Sequence, residues 1–219
     1  MGVREKFDRE LEQLKTLVIN MATKAEQALA SAMQSLVEQN ENLALQVIDN
    51  DHDINRQDEK INETAIWLIA KQQPVATDLR KIISSLKIAN DLERIGDQAV
   101  NIAVATVKIA NQPLYKPLED IPKMSERVQN MLNGGITAYK TDDLKLAKQV
   151  ADEDNAIDEM YDTLIQELLQ KLTESPELTN QITQLAFICL YLERIADHVT
   201  NICEHMIFAI EGKRVDLNR

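Results

Sequence analysis

The stretch Leu92-Glu93-Arg94-Ile95-Gly96-Asp97 with Asn101-Ile102 returns one hundred residues later as Leu192-Glu193-Arg194-Ile195-Ala196-Asp197 with Asn201-Ile202. Working outward, Gln46-Val47, Asp49, Asp51 and Ile54 match Gln149-Val150, Asp152, Asp154 and Ile157 in one register. Between these blocks the register slips by three residues, and the slip falls at the Pro-containing turns. Turns are where a duplicated fold tolerates an insertion. The chain therefore reads as a tandem repeat, residues 1–111 and 112–219, each unit a three-helix bundle related to the other by a pseudo-twofold axis.

The periodicity around these blocks is helical. Phe7, Leu11, Leu14, Val18, Met21, Ala25, Ala28 and Ala32 alternate by four and three, the seam of a bundle or coiled coil. Proline and turn residues divide the chain into six long segments. The first spans about Arg4 to Val37 and is closed by Asn40-Glu41-Asn42. The second runs to about Lys71, before Pro74, and the third from about Thr77 to Ala110. Asn111 to Pro122, with three prolines, reads as a linker. A fourth segment from Lys123 to Lys140 contains Gly134-Gly135. Thr141 is the expected cap of a fifth, Asp142 to about Leu172, and Pro176 opens a sixth through Ile210. The fold class is all-α. Aromatic content of 4% with 5 glycines and 5 prolines argues against a β-sandwich, which needs aromatics and frequent turns.

A net charge of −12 without a basic patch excludes binding to a phosphate backbone and favours cations or basic protein surfaces. No apolar run spans a bilayer, so no membrane insertion is expected. Arg4, Glu5 and Lys6 interrupt any secretory leader, and Lys6 spoils the myristoylation pattern that Met1-Gly2 would open. Cys189 and Cys203 lie on one helix roughly 21 Å apart, too far for a disulfide, and read as reduced core thiols of a cytoplasmic protein.

Helical wheels give the repeated acids their meaning. Ile82, Leu86, Ala89, Val100, Val104 and Val107 fall within about 40° of Glu93, with Asp97 one turn on. Ile182, Ala186, Cys189, Thr200 and Ile207 surround Glu193, with Asp197 and Glu204. Asp51 shares its sector with Ala44, Val47, Asp58, Ala65 and Ile69, with Asn55 beside it. Asp154 shares its own with Ala147, Val150, Tyr161, Ile165 and Leu168, with Asp158 beside it and Asp162 further round. Ionised carboxylates on apolar stripes need compensation, which arginine, protonation or a metal ion can each provide. Carboxylates and an Asn with few histidines suit a hard cation; the two cysteines lack a zinc-ligand spacing. His52, His198 and His205 read as isolated, and Trp67 and Phe187 as core. No phosphate loop, serine elbow or Cys–His arrangement points to an enzyme.

Gln73-Pro74-Val75-Ala76-Thr77-Asp78-Leu79-Arg80, Leu92 to Asp97, and Ile195-Ala196-Asp197-His198 leading into Asn201-Ile202-Cys203-Glu204 resemble the PhoU family, the phosphate-uptake regulators of bacteria. The resemblance covers essentially the whole chain. It implies two three-helix bundles, each with a multinuclear metal site. Metal ions (iron foremost, with Mn, Mg, Ca or Zn as the other choices) would sit on Glu93 and Asp97 with Asp51, Asn55 and Asp58, and on Glu193 and Asp197 with Asp154, Asp158 and Asp162. Asn55 departs from the pattern, since Asp158 stands at its counterpart. The resemblance further implies a non-enzymatic negative regulator of phosphate uptake and of the phosphate-starvation response. Its partners would be the phosphate ABC transporter's ATPase and a membrane sensor histidine kinase, met at the inner face of the membrane. The seam of the first segment and the prevalence of twofold assemblies predict a homodimer. Two other readings compete. A di-iron helical-bundle enzyme wants paired Glu-x-x-His motifs, to which Asp49-x-x-His52 is the nearest approach, and a structural helical protein would hold no metal.

Overall fold

The computed structural model describes residues 3–116 and 118–217; Met1-Gly2 and Pro117, which the sequence reading invoked, lie outside the described residues. Helices make up most of the described residues, as the periodicity predicts. In order come α1 (Val3–Val37), α2 (Glu41–Asn50), α3 (His52–Gln72), α4 (Ala76–Val107), α5 (Asp120–Thr141), α6 (Leu144–Asp152), α7 (Asp154–Glu174) and α8 (Thr179–Glu211). A 3₁₀ turn, Pro176–Leu178, precedes α8.

Six long segments are present, but the second and fifth are each broken. At Asp51 and again at Glu153 the backbone tightens into i→i−3 bonding, with Ile54 N–H on the Asp51 carbonyl at 2.9 Å and Ala156 N–H on the Glu153 carbonyl at 3.1 Å. Neither break carries Pro or Gly, so a reading built on helix breakers passes through both. The breaks place Asp51 and Asp154 at the start of long helices, where the helix dipole favours a carboxylate.

The helix ends have identifiable causes. Gln39, Gln73 and Asp142 adopt the left-handed region at φ 48°, 46° and 55° and stop α1, α3 and α5. Thr141 is not the cap expected for the fifth segment. Its hydroxyl donates back to the Thr137 carbonyl as the last residue of α5, and Asp143 caps α6 by accepting from Lys145 and Leu146 N–H, both at 3.0 Å. Pro122 sits in the first turn of α5, where its missing N–H costs nothing.

Packing follows the repeat. α1 to α4 form one bundle and α5 to α8 the other. The two are joined most extensively along α4–α8, the helices carrying the doubled motif, and also along α1–α5. One continuous core results, with Leu14, Val18, Met21, Ile88, Leu92, Ile95, Ile188, Leu192 and Ile195 at most 1% exposed. The α1 seam is buried inside this core, so it carries no argument about assembly. Gly134 and Gly135 bring α5 close to its neighbours: a Cβ on Gly134 would meet a Val150 methyl at 2.7 Å, and one on Gly135 a Val199 methyl at 3.0 Å. The connection after α4 is pinned to α8 by Gln181, which accepts from Tyr115 N–H at 2.8 Å and donates to the Pro113 carbonyl at 3.1 Å.

Two aromatic residues expected in the core are on the surface. Trp67 is 47% exposed with the Lys71 ammonium 3.9 Å from its ring centre, and Phe187 is 42% exposed and stacked on Tyr191. Both residues lie on solvent-facing sides of their helices. Among the described residues no helix is long and apolar enough to cross a membrane.

Candidate functional site

The fold gathers the repeated acids into one cluster per half. In the first half, the α2–α3 junction supplies Asp51, α3 supplies Asp58, and α4 supplies Glu93 and Asp97. Gly96 permits this: a Cβ there would meet Ile54 Cδ1 at 2.9 Å, so its absence lets α3 lie against α4 with Asp51 beside it. The wheels put Glu93 and Asp97 in an apolar sector, and the structure puts that sector at the rim of the core. The side chains are 24% and 38% exposed, because the fully buried side of α4 faces α8.

Each acid of the first cluster has an internal partner. Arg94 reaches Glu93 Oε2 at 3.4 Å and Asp97 Oδ2 at 3.1 Å. Asn55 donates its amide to Asp51 Oδ2 at 2.8 Å, and Asn62 donates to Asp58 Oδ2 at 2.9 Å. Burial still pushes Glu93 above the usual carboxylate range, helped by Asp97, Asp58 and Asp51 and opposed by Arg94. Asp58 is likewise raised by burial, against the Asn62 hydrogen bond. A cavity of about 340 Å³ opens beside this cluster, lined among others by Lys24, Ser31, Asn50 and Asp51.

The second cluster, on α7 and α8, is more strained. Asp154 is 7% exposed. Burial, then Asp197 and Asp158, push its carboxyl up to about 6, with a hydrogen bond from the Thr200 hydroxyl opposing. Glu193 is pushed up to about 7, by burial first and then Asp197, Asp158 and Asp154, with Arg194 opposing. Asp197 and Asp158 are both raised by burial; Asp162, exposed at the outer edge, adds to the effect on Asp158. Glu204, which shares the Glu193 face on the wheel, serves elsewhere: it accepts the Leu217 N–H at 2.7 Å and holds the C-terminal segment against α8.

The histidines are not all isolated. His198 Nδ1 lies 3.0 Å from Asp91 Oδ1, and His205 Nε2 lies 3.3 Å from Asp91 Oδ2, across the α4–α8 seam. Asp91 is 7% exposed. Burial pushes its carboxyl up, but the hydrogen bonds and charge of the two imidazoles outweigh that and hold it below the usual range. The only sequence hint was an acid at 91 on the most apolar helix of its half; its partners are more than a hundred residues away. His52 is exposed, with its ring against the carbonyl of Asp49 in its own turn. Burial pushes the Cys189 and Cys203 thiols up to about 12, which leaves them unreactive near neutral pH.

The donor chemistry of both clusters suits a hard cation. It consists of carboxylates, with the Thr200 hydroxyl in the second half and no thiolate. Asp51 Oδ1 and Asp154 Oδ1 are buried without a hydrogen-bond donor among the described residues, and Glu93 Oε2 has the Arg94 guanidinium at 3.4 Å as an ion pair. Buried oxygens of this kind call for a counter-charge. Among the described residues no three His, Cys, Asp or Glu side chains converge as ligands of one ion do. Like-charged carboxylates repel, so collecting them about an ion requires side-chain rotation on helices already adjacent.

The PhoU domain model matches the chain twice, at residues 18–106 and 121–206. Over 98% of its length the chain is 39% identical to 99% of a phosphate-specific transport system accessory protein PhoU homolog of Clostridium acetobutylicum. It is also 39% identical, over 96% of its length, to 95% of the homolog of that name in Aquifex aeolicus. The solved structure of the phosphate transport system regulatory protein PhoU from Streptococcus pneumoniae superposes with a TM-score of 0.90 at 30% identity, covering 96% of this chain and 99% of that one. PhoU from Pseudomonas aeruginosa superposes with a TM-score of 0.91 at 31% identity, covering 94% and 100%. The twice-matched domain, the full-length relatives and the shared fold establish that this chain belongs to the PhoU family.

Proposed function

We propose that the chain is an accessory regulator of a phosphate-specific transport system, one that restrains phosphate uptake and represses the phosphate-starvation response when phosphate is plentiful. The observation that carries this reading is the full-length relation to proteins bearing that name, 39% identity across 98% of the chain. Its partners in this reading are the transporter's ATPase and a membrane sensor histidine kinase, met at the cytoplasmic face, with the chain acting as a homodimeric adaptor rather than an enzyme. A net charge of −12 and the lack of a membrane-crossing helix among the described residues favour protein partners over nucleic acid or lipid. Deleting the gene should leave starvation genes expressed in phosphate-replete medium. Starvation genes that stay repressed there would end the regulator reading.

Each repeat, residues 1–111 and 112–219, carries one cation site in this reading. Glu93 and Asp97 with Asp51 and Asp58 would hold the ion in the first, and Glu193 and Asp197 with Asp154 and Asp158 in the second. Asn55 and Asp162 stand at the edges. Iron is the first choice, with Mn, Mg, Ca or Zn as the others. A bound cation would supply the counter-charge that the buried Asp51 Oδ1 and Asp154 Oδ1 lack. Protein purified without chelator should contain metal by elemental analysis. The paired substitutions Glu93→Ala/Asp97→Ala and Glu193→Ala/Asp197→Ala should together remove it. Metal-free wild type from iron- and manganese-replete cells would favour a purely structural bundle instead.

A further inference from the structure

We propose that the face of α8 beneath residues 213–217 is a peptide-docking seat: this tail fills it in cis, and an extended, basic and apolar segment of a protein partner binds there by displacing the tail. The seat stands apart from the cation reading above, and its failure would leave the regulator reading intact.

The sequence builds the tail as a strap. α8 stops at Gly212, whose φ of 73° turns the chain back. A side chain there would crowd Arg80: a Cβ would stand 3.1 Å from its Cζ, so the bare backbone lets the guanidinium pack against the turn. Arg80 closes the Gln73 to Arg80 stretch near the start of α4, and a cation at this place also suits the C-terminal end of the α8 dipole. Beyond the turn the exposure alternates. Val215 and Leu217 are part-buried and pack on the core, while Lys213, Arg214 and Asp216 are exposed. That is the period-two pattern of an extended segment. The strap comes back beside Glu204, whose carboxylate accepts the Leu217 N–H at 2.7 Å, so it retraces about 10 Å of α8.

Glu204 marks this surface as a seat. The repeat puts Val104 at the same place in the first half, so an acid replaces an apolar side chain where the strap needs an acceptor. Among the described residues the backbone of 213–217 makes no hydrogen bond to other backbone groups. The strap is held instead by two apolar side chains, by one N–H that a side chain accepts, and by the attraction of Lys213 and Arg214 to a chain of net charge −12. None of these holds requires covalent attachment. An extended segment with basic residues followed by apolar ones at alternate positions offers the same groups. A segment with so few buried contacts also opens at low free-energy cost. The tether sets the competition, since a tail on a short linker acts at an effective concentration on the order of millimolar.

The test is titration of ¹⁵N-labelled full-length protein with a synthetic peptide of residues 212–217, capped at both ends and followed by amide NMR shifts. Val215→Ser with Leu217→Ser vacates the seat and changes no helix residue. This variant should take up the peptide, with shifts around Arg80 and Glu204, at concentrations at least about tenfold below those that wild type needs. A peptide with serine at both apolar positions should produce no shifts, and adding Glu204→Ala to the variant should weaken binding. In wild type the Leu217 amide should exchange with solvent far faster than the core amides of α8. Equal responses of wild type and variant, no response in either, or a Leu217 amide as protected as the α8 core would overturn the displaceable strap. Light scattering covers the other occupant: wild-type dimers that the variant cannot form would assign the seat to the tail of a second copy and overturn the proposal.

Discussion

Replacing two acids of the second cluster, Asp154→Asn with Glu193→Gln, is expected to stabilise the metal-free protein near neutral pH by about 3 kcal/mol. For a chain of this size that corresponds to a melting temperature higher by roughly 6–12 °C. Burial and mutual repulsion push the Asp154 carboxyl up to about 6 and that of Glu193 up to about 7. A carboxyl with a raised folded-state value binds protons more tightly in the folded chain than in the unfolded one. Its contribution to stability is therefore present below about pH 4 and lost as pH rises through 6 to 7. Chelator-treated wild type should lose stability across that window in thermal unfolding scans, and the double variant should show a flatter profile. Adding Mn²⁺ should stabilise wild type through mass action and leave the variant nearly unchanged. A variant that is less stable than wild type without metal, or equally pH-dependent, would mean that these carboxylates are already compensated within the fold. The expected sign matters because most substitutions of partly buried residues destabilise. A gain here marks side chains kept at a cost to stability, the usual condition of a binding site.

Asp91→Asn should act in the opposite direction, destabilising the chain by about 2–4 kcal/mol near neutral pH. Asp91 is buried in the α4–α8 seam with one oxygen on His198 and the other on His205. Removing its charge puts one accepting oxygen where two stood, so one imidazole must turn acceptor toward the amide NH₂, and neither is any longer stabilised as a cation. The sign with pH also reverses. Burial raises the Asp91 carboxyl, but the two imidazoles outweigh burial and hold it below the usual range, so its contribution is present above about pH 4 and lost as pH falls through the depressed value. Urea unfolding at neutral pH should separate wild type from Asp91→Asn fully, and the two should converge in acid. A variant as stable as wild type at neutral pH would show that the seam is held by its apolar residues alone. Since α4 and α8 form the main contact between the two halves, the loss should weaken the junction more than either bundle.

Much of this molecule was written along the chain in forms that survive folding. The four-and-three spacing from Phe7 to Ala32 required a helix with one buried stripe, and the structure buries that stripe. The doubled Leu-Glu-Arg-Ile block predicted two like units, and its helices pair at their junction. The acids Asp51, Asp58, Glu93, Asp97, Asp154, Asp158, Glu193 and Asp197 could be assigned to two faces per half because helical geometry fixes direction from spacing alone. Proline marked the larger boundaries, and left-handed Gln39, Gln73 and Asp142 refined them.

Other features depended on what stands opposite each helix, which a wheel does not contain. The breaks at Asp51 and Glu153 arise in segments free of Pro and Gly. Trp67 and Phe187 have core-like side chains but lie on solvent-facing sides of their helices. Whether Glu93 faces an arginine, another acid or solvent was open until α3 and α4 were set side by side. Local periodicity determined the helices, the repeat and the pair of acidic faces, because those follow from neighbours along the chain. Only the tertiary structure could decide that Asp91 meets His198 and His205 from more than a hundred residues away, or that a buried threonine hydrogen-bonds Asp154 in the second cluster. Charge compensation is a property of facing surfaces, and those surfaces exist only once the helices have packed.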